Sequence, residues 1–375
     1  MDFDFKKPLS LYIHIPVCNA KCDYCAFYSV PKSKIEKSAI QAYTDGICQQ
    51  IEDLTKQMDM PFYTAFIGGG NPGCLTVDQL EQICKSVCKN GRPVEFTTEI
   101  NPESLTEEHE RLFEKYLNRI SMGVQSLDEN ALSYMGRNVT LKQTLRGIDL
   151  ACKTKKNTGC SLSFDMITCL PDFHNPVEDL QNLLNQCKEV QPDHLSVYAL
   201  TPEEGTPFYK RLEEKKTQDL PNSDEQAEIL TKIWAFLKDK GYEHYEVSNF
   251  AKKGKESLHN SVYWNYGQYV GLGPGAHSRA FKNGTVTAYE VHGNIASQSV
   301  ESTVLTKEQA LEEFVLMGLR HKQGLDLNRL ENEFGYNMKL LKDRILDGYS
   351  IKNGRLVPDD NGLLISDAAA LEILH

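Results

Sequence analysis

Residues 9–29 read LSLYIHIPVCNAKCDYCAFYS, and this stretch decides the architecture. Leu9–Pro16 is a β-branched and apolar run that reads as a strand. Three thiols follow it directly, Cys18, Cys22 and Cys25, spaced C-x3-C-x2-C in a loop at the strand's C-terminal end. A structural zinc site takes four protein ligands, usually arriving in pairs, and no histidine follows within this loop. A [4Fe–4S] cluster held by three thiolates keeps one iron open for a small molecule. Tyr24, just before the third thiol, is placed to cover such a cluster. The chain has 11 cysteines, an odd number, all between Cys18 and Cys187. That is the usage of a reducing compartment, not a disulfide framework. Cys48, Cys84, Cys88, Cys152 and Cys187 fall in helix-like stretches and read as small buried apolar residues.

Outward from the thiol loop, apolar runs alternate with amphipathic stretches. Strands are expected at Tyr63–Ile67, Val94–Ile100, Arg119–Val124, Cys160–Ile167 and His194–Leu200. Helices are expected between and after them, among them Ile35–Met58, Thr76–Lys89 with a Thr76/Gln79 capping box, and Asp224–Lys240. Six strand–helix units without hairpin signals predict an α/β chain with a parallel sheet and helices outside. The rhythm fits either a doubly wound sheet or an incomplete barrel.

After Gly241 the pattern changes. Tyr242–Ser248 reads as a further strand, and Asn249–Ser278, rich in Gly, Tyr and Asn, as a structured loop region. A second capping box at Thr306/Gln309 opens a helix over Lys307–His321, followed by short helices and an expected strand pair at Ile351–Val357 and Leu363–Ile365. Two domains are expected, 1–289 and 290–375, the second small, mainly helical and winged-helix-like. Lys and Arg are not concentrated there, so a structural use is expected rather than DNA binding.

Composition narrows the function classes. The 375 residues carry a formal net charge of −11, which argues against a broad nucleic-acid-binding face. No apolar run is long enough to span a membrane, and MDFDFKKPLS has no signal-peptide core. The expected location is the cytoplasm, with a peripheral visit to a membrane left open.

The thiol spacing, the aromatic residue and the position after the first strand together resemble the radical S-adenosylmethionine (SAM) superfamily. The resemblance implies a partial (β/α)6 barrel, SAM bound through its amino and carboxylate groups on the open iron, and release of a 5′-deoxyadenosyl radical on reduction. In such barrels ligands sit at the C-terminal ends of the strands. Gly68-Gly69-Gly70-Asn71-Pro72, Glu99, Gln125 and Asp165 come at or near the ends of successive strands, with Arg137 in the connection after the fourth. By motif position Glu99 (TTEINPESL), Gln125 (RISMGVQSLD), Arg137 (MGRNVT) and Asp165 (SFDMITCLP) match SAM-binding positions of the coproporphyrinogen III oxidase-like family. Tyr12, Tyr24, Gly69, Gly70 and Asn71 complete the expected SAM set. Gly68–Gly73 also satisfies G-x-G-x-x-G, but Pro72 follows the glycines and the helix starts too late to face a pyrophosphate. Two positions depart from the family pattern: Asn71 stands where Thr is usual, and Cys169 where Gly is usual.

Within that family three features favour the HemW-type, haem-chaperone branch over the oxidase. Phe27 occupies the position of a further oxidase cysteine. The first strand begins by about Leu9, leaving little room for the oxidase's preceding segment. His259-Asn260-Ser261-Val262-Tyr263-Trp264 matches H-N-x-x-Y-W. A histidine can ligate haem iron, and Tyr and Trp can stack on a porphyrin. The expected cofactors are a [4Fe–4S] cluster, SAM and haem, with His259 as the haem contact and His277 (GLGPGAHS) second. The expected role is a carrier that delivers haem to a membrane-associated acceptor. The alternatives are an oxygen-independent coproporphyrinogen III dehydrogenase, or another radical SAM enzyme acting on a tetrapyrrole. Whether the chain catalyses a reaction is left open.

Overall fold

A computed structural model describes all residues, 1–375. Six parallel strands form its centre: β1 (Ser10–Ile15), β2 (Thr64–Gly69), β3 (Glu95–Ile100), β4 (Arg119–Gln125), β5 (Ser161–Thr168) and β6 (His194–Ala199). Each pairs with the next in sequence order, 1-2-3-4-5-6. A doubly wound sheet reverses its strand order at a switch point, and this sheet does not. Right-handed crossovers that always step the same way put every helix on one face and curl the sheet into a barrel arc.

The two faces of the arc differ in chemistry because side chains alternate along a strand. Leu11, Ile13, Ile67, Phe96, Ile120, Met122, Phe164 and Leu195 face outward and share one buried core with the helices. Ile47 and Ile51 of helix Lys37–Thr55, Ile83 of helix Val77–Val87 and Trp234 of helix Ser223–Asp239 belong to that core. The intervening residues face inward. Tyr12, Phe66, Glu99, Arg119, Ser121, Asp165, Ser196 and Tyr198 line a cavity. The Thr76/Gln79 capping box forms as expected.

Both edges of the arc are extended. Beyond β6 lie the antiparallel strands β7 (Glu243–Glu246) and β8 (Asn249–Ala251), in the order β6-β8-β7. Beyond β1 lie β9 (Tyr269–Leu272), parallel to β1, and the antiparallel β10 (His277–Lys282), β11 (Thr285–Gly293) and β12 (Gln298–Val304). These additions correct the reading of Asn249–Ser278 as a loop region. The expected division at 289/290 falls inside β11, and the ladder continues to Val304. We therefore place the boundary near Leu305.

The C-terminal unit opens with helix Lys307–Leu319, then a short strand, Leu325–Asp326. Helices Leu327–Asn332 and Met338–Arg344 and the hairpin Tyr349–Lys352/Arg355–Pro358 follow. The strands form one three-stranded antiparallel sheet, so the winged-helix-like expectation matches in order and pairing. Leu363–Ile365, expected as a strand, instead ends helix Asp360–Leu364. The unit has its own core around Phe314, Leu319, Leu330 and Leu356, which also takes in Tyr266 and Val286 from the barrel side.

Candidate functional site

The thiol loop is stapled at its base. Val17–Cys18 pairs in parallel with Val30–Pro31, and Val30 N–H donates to Pro16 O at 2.9 Å. Farther out, Phe208 N–H donates to Asp23 O at 3.0 Å, and Arg211 pairs with the Asp23 carboxylate at 3.0 Å. The loop is thus held from both ends while Cys18, Cys22 and Cys25 all line one chamber of about 620 Å³. No three metal-binding side chains come together closely enough for a single ion. Three soft thiol donors spread around one chamber fit a multinuclear cluster better than a zinc ion. Burial pushes the Cys18 and Cys25 thiols up, and the Arg137 guanidinium opposes that shift in both. Arg137 Nη1 lies 3.6 Å from Cys22 Sγ, and Nη2 donates to Gly123 O at 2.7 Å and to Asn101 Oδ1 at 3.2 Å.

Tyr24, Gly69, Gly70, Asn71, Glu99, Gln125, Arg137 and Asp165 line the same chamber. Of the residues expected with them, only Tyr12 is elsewhere. It lines the neighbouring cavity, its hydroxyl 3.0 Å from His14 Nδ1. The glycines answer first to the protein itself. A Cβ on Gly68 would stand 2.7 Å from Glu99 Oε2, and one on Gly70 would stand 2.6 Å from Val17 O. Gly69 has φ of 104° and its N–H donates to Glu99 Oε2 at 3.3 Å. Asn71 is buried and engaged by the protein at both ends of its amide. Its Oδ1 accepts from Gly73 and Asn101 N–H groups, and its Nδ2 donates to Ser104 Oγ. Burial and the nearby Asp165 carboxylate hold the Glu99 carboxyl up at about 8. Asp165 is raised by burial too, with Ser121 Oγ 3.3 Å from both its oxygens. Gln125 and Cys169 both have positive φ, 71° and 58°. The family's usual glycine at the second position is explained by this backbone, which L-residues adopt at a cost.

A second cavity of about 460 Å³ adjoins the first inside the barrel. The two share Phe27, Gly69, Glu99, Asp165 and Tyr198 as a common wall. Phe27 is 65% exposed. The second cavity is aromatic, with Tyr12, Phe66, Tyr263, Trp264 and Tyr269, and carries His14, His259 and His277. His259 sits on a helix, Leu258–Trp264, capped by Ser257, and not in a loop as the sequence suggested. It is buried and stacked on Phe66 at 5.1 Å between ring centroids. Its Nδ1 lies 2.8 Å from Thr64 Oγ1, which in turn lies 2.8 Å from Ser10 Oγ. Its Nε2 lies 2.7 Å from the Tyr263 hydroxyl. Burial lowers this imidazole to about 3, so it is neutral at physiological pH. Neutral is the form that ligates iron, but both ring nitrogens are already engaged, by Thr64 and by Tyr263. His277 is exposed at the same cavity. The sequence reading missed Arg119, which faces inward on its strand, whereas Tyr198, expected on the rim at the end of the sixth strand, does line both cavities. The two-residue alternation was the available signal.

Comparisons with known proteins agree with this geometry. A sequence model described as the Radical SAM superfamily matches residues 12–187, and one described as the HemN C-terminal domain matches residues 305–368. A Lactococcus lactis protein named heme chaperone HemW is 31% identical over 337 residues, covering 88% of this chain and 86% of its own. The chain belongs to the HemW-type branch of the radical SAM superfamily. Another HemW relative, from Bacillus subtilis, is 29% identical and covers 98% of this chain and 95% of its own length. A zebrafish relative named radical S-adenosyl methionine domain-containing protein 1, mitochondrial, is 30% identical and covers 95% and 83%. The solved structure of Escherichia coli coproporphyrinogen III oxidase, HemN, superposes with a TM-score of 0.71 at 19% identity, covering 98% of this chain and 90% of that one. At that identity the likeness supports the fold alone. The HemW branch thus accounts for the barrel arc, the thiol loop and the C-terminal unit together.

Proposed function

We propose that this chain is a haem carrier: it binds haem beside a SAM-coordinated [4Fe–4S] cluster and passes haem to a membrane-associated acceptor protein. The observation that carries the reading is the shared wall between a three-thiol chamber and an aromatic, histidine-bearing cavity. Cys18, Cys22 and Cys25 would hold the cluster, and Glu99, Gln125, Arg137 and Asp165 the polar groups of SAM. The cluster, when bound, supplies an electron to the sulfonium of SAM. What the chain's own residues do is bind, orient and exclude water. The aromatic cavity suits a planar ligand, and its histidines suit iron. The HemW names of the relatives support haem as that ligand. No helix of the chain is long and apolar enough to cross a membrane, so a visit to a membrane acceptor would be peripheral. We place the carrier in the cytoplasm on the same reading.

The test is an anaerobic haem titration of the cluster-reconstituted protein, with His259→Ala and His277→Ala beside the wild type. Saturable binding with a Soret band altered in one variant supports the carrier and names the ligand. Non-saturable uptake, the same in all three proteins, defeats it. Conversion of coproporphyrinogen III with consumption of SAM would instead establish the dehydrogenase reading.

A further inference from the structure

Arg119 opens β4 and faces the interior of the barrel. It is 3% exposed and lines the aromatic cavity. Its Nε has no hydrogen-bond partner. The nearby acids, Glu99 and Asp165, act on it only through longer-range attraction, and both are themselves biased toward the neutral form by burial. A buried charge without a partner is unfavourable, so one kept at a cavity wall points to a ligand that completes it. Two further N–H donors of the same cavity are orphaned. Trp264 Nε1 has no acceptor, and Arg279 Nη1 has none although Nη2 pairs with Glu313 at 2.9 Å. Three unmet donors around one aromatic cavity call for an acceptor-rich, anionic ligand with a flat apolar body.

We propose that Arg119 is a carboxylate anchor: the ligand of the aromatic cavity is seated with a carboxylate against this guanidinium, which for haem is a propionate. By strand register Arg119 is level with Thr97, Thr97 with Phe66 and Phe66 with Tyr12, two of the aromatic residues of the cavity. A guanidinium offers a two-pronged fork that matches a carboxylate, whereas lysine offers a point charge. The proposal rests on the haem-carrier reading and adds to it the group that fixes one end of the ligand.

The experiment titrates the full-length, cluster-reconstituted protein with haem and with haem dimethyl ester, in which both propionates are blocked. Wild type, Arg119→Gln and Arg119→Lys are compared, with the thermal midpoint of each ligand-free protein as a second readout. Wild type is expected to prefer the free acid by about tenfold or more, the range for a hydrogen-bonded charge. Arg119→Gln is expected to lose that preference, and Arg119→Lys to recover part of it. Ligand-free Arg119→Gln is expected to be at least as stable as wild type, because it removes an unpartnered buried charge. A clear drop in its midpoint would mark Arg119 as structural and overturn the proposal. Wild-type preference for the free acid retained in Arg119→Gln overturns it while leaving haem binding intact. If Arg119→Gln keeps haem but loses one equivalent of SAM in equilibrium dialysis, the carboxylate is that of SAM, which also overturns it. If neither porphyrin saturates wild type, the haem-carrier reading fails and the anchor falls with it.

Discussion

Cys169 and Glu99 show how single residues carry the strain and charge of the site. Cys169 is buried with φ of 58°, a conformation that costs an L-residue about 1–2 kcal/mol and glycine almost nothing. Replacing it by alanine removes the thiol and keeps the strain, whereas glycine removes both. Cys169→Gly is therefore expected to be more stable than Cys169→Ala by about 1 kcal/mol, the reverse of the usual order. Denaturant midpoints of the two variants check this, and an alanine variant equal to or better than glycine would refute it. Glu99 binds its proton up to about 8 because burial and Asp165 disfavour its charge. A cation seated against it, the ammonium of SAM in the proposed chamber, favours the ionised form. Binding below that pH must then release a proton, so SAM affinity is expected to rise with pH and level off above about 8. Calorimetry in two buffers of different ionisation enthalpy measures the proton, and Glu99→Gln should abolish the pH dependence.

Among the elements, helix Leu258–Trp264 depends most on its surroundings. Seven residues are too few for a helix to persist alone in water. Glu95, the first residue of β3, accepts N–H bonds from Leu258 at 3.0 Å and His259 at 2.8 Å. Ser257 Oγ caps Asn260 N–H at 3.3 Å. A carboxylate at a helix start satisfies donors that otherwise stay buried and unpaired, and it complements the helix dipole. Glu95→Ala strands two of them and is expected to cost about 3 kcal/mol. It should also release His259 from its place beside Phe66. The expected readouts are a lowered unfolding midpoint and a weakened Soret change on haem addition. An unchanged midpoint would mean that the helix is held by packing alone.

At the scale of the whole molecule, the C-terminal unit closes the aromatic cavity but not the thiol chamber. Glu313 and Met317 line the former, and no residue beyond Glu203 lines the latter. The unit is held to the barrel side at Glu313, which pairs with Arg279 and accepts the Tyr266 hydroxyl at 2.8 Å. It is also held by backbone bonds from Lys322 N–H to Tyr245 O and from Val247 N–H to Arg320 O. Glu313→Ala removes the ion pair and the phenol's acceptor together. It is expected to loosen this docking by about 1–2 kcal/mol and to speed proteolytic cleavage in the segment around residues 294–306. Cleavage at the wild-type rate would show that the backbone bonds suffice.

The sequence by itself determined the parts that depend on local pattern. The six strands and the capping boxes follow from short-range periodicity and side-chain chemistry. The thiol spacing, Glu99, Gln125, Arg137 and Asp165 were legible because family motifs sit at the strand ends. The partial barrel was implied by the family resemblance and is matched by the sequential pairing of β1 to β6, whereas alternation of elements by itself says nothing about strand order. Tertiary structure alone decided the rest. It moved Tyr12 into the second cavity, since its neighbour across the ladder is Phe66. It turned the loop around His259 into a helix, because the stabilising carboxylate, Glu95, is 164 residues away in the chain. It left Arg119 unpaired at a cavity wall, because whether a charge finds a partner depends on groups brought together from distant strands.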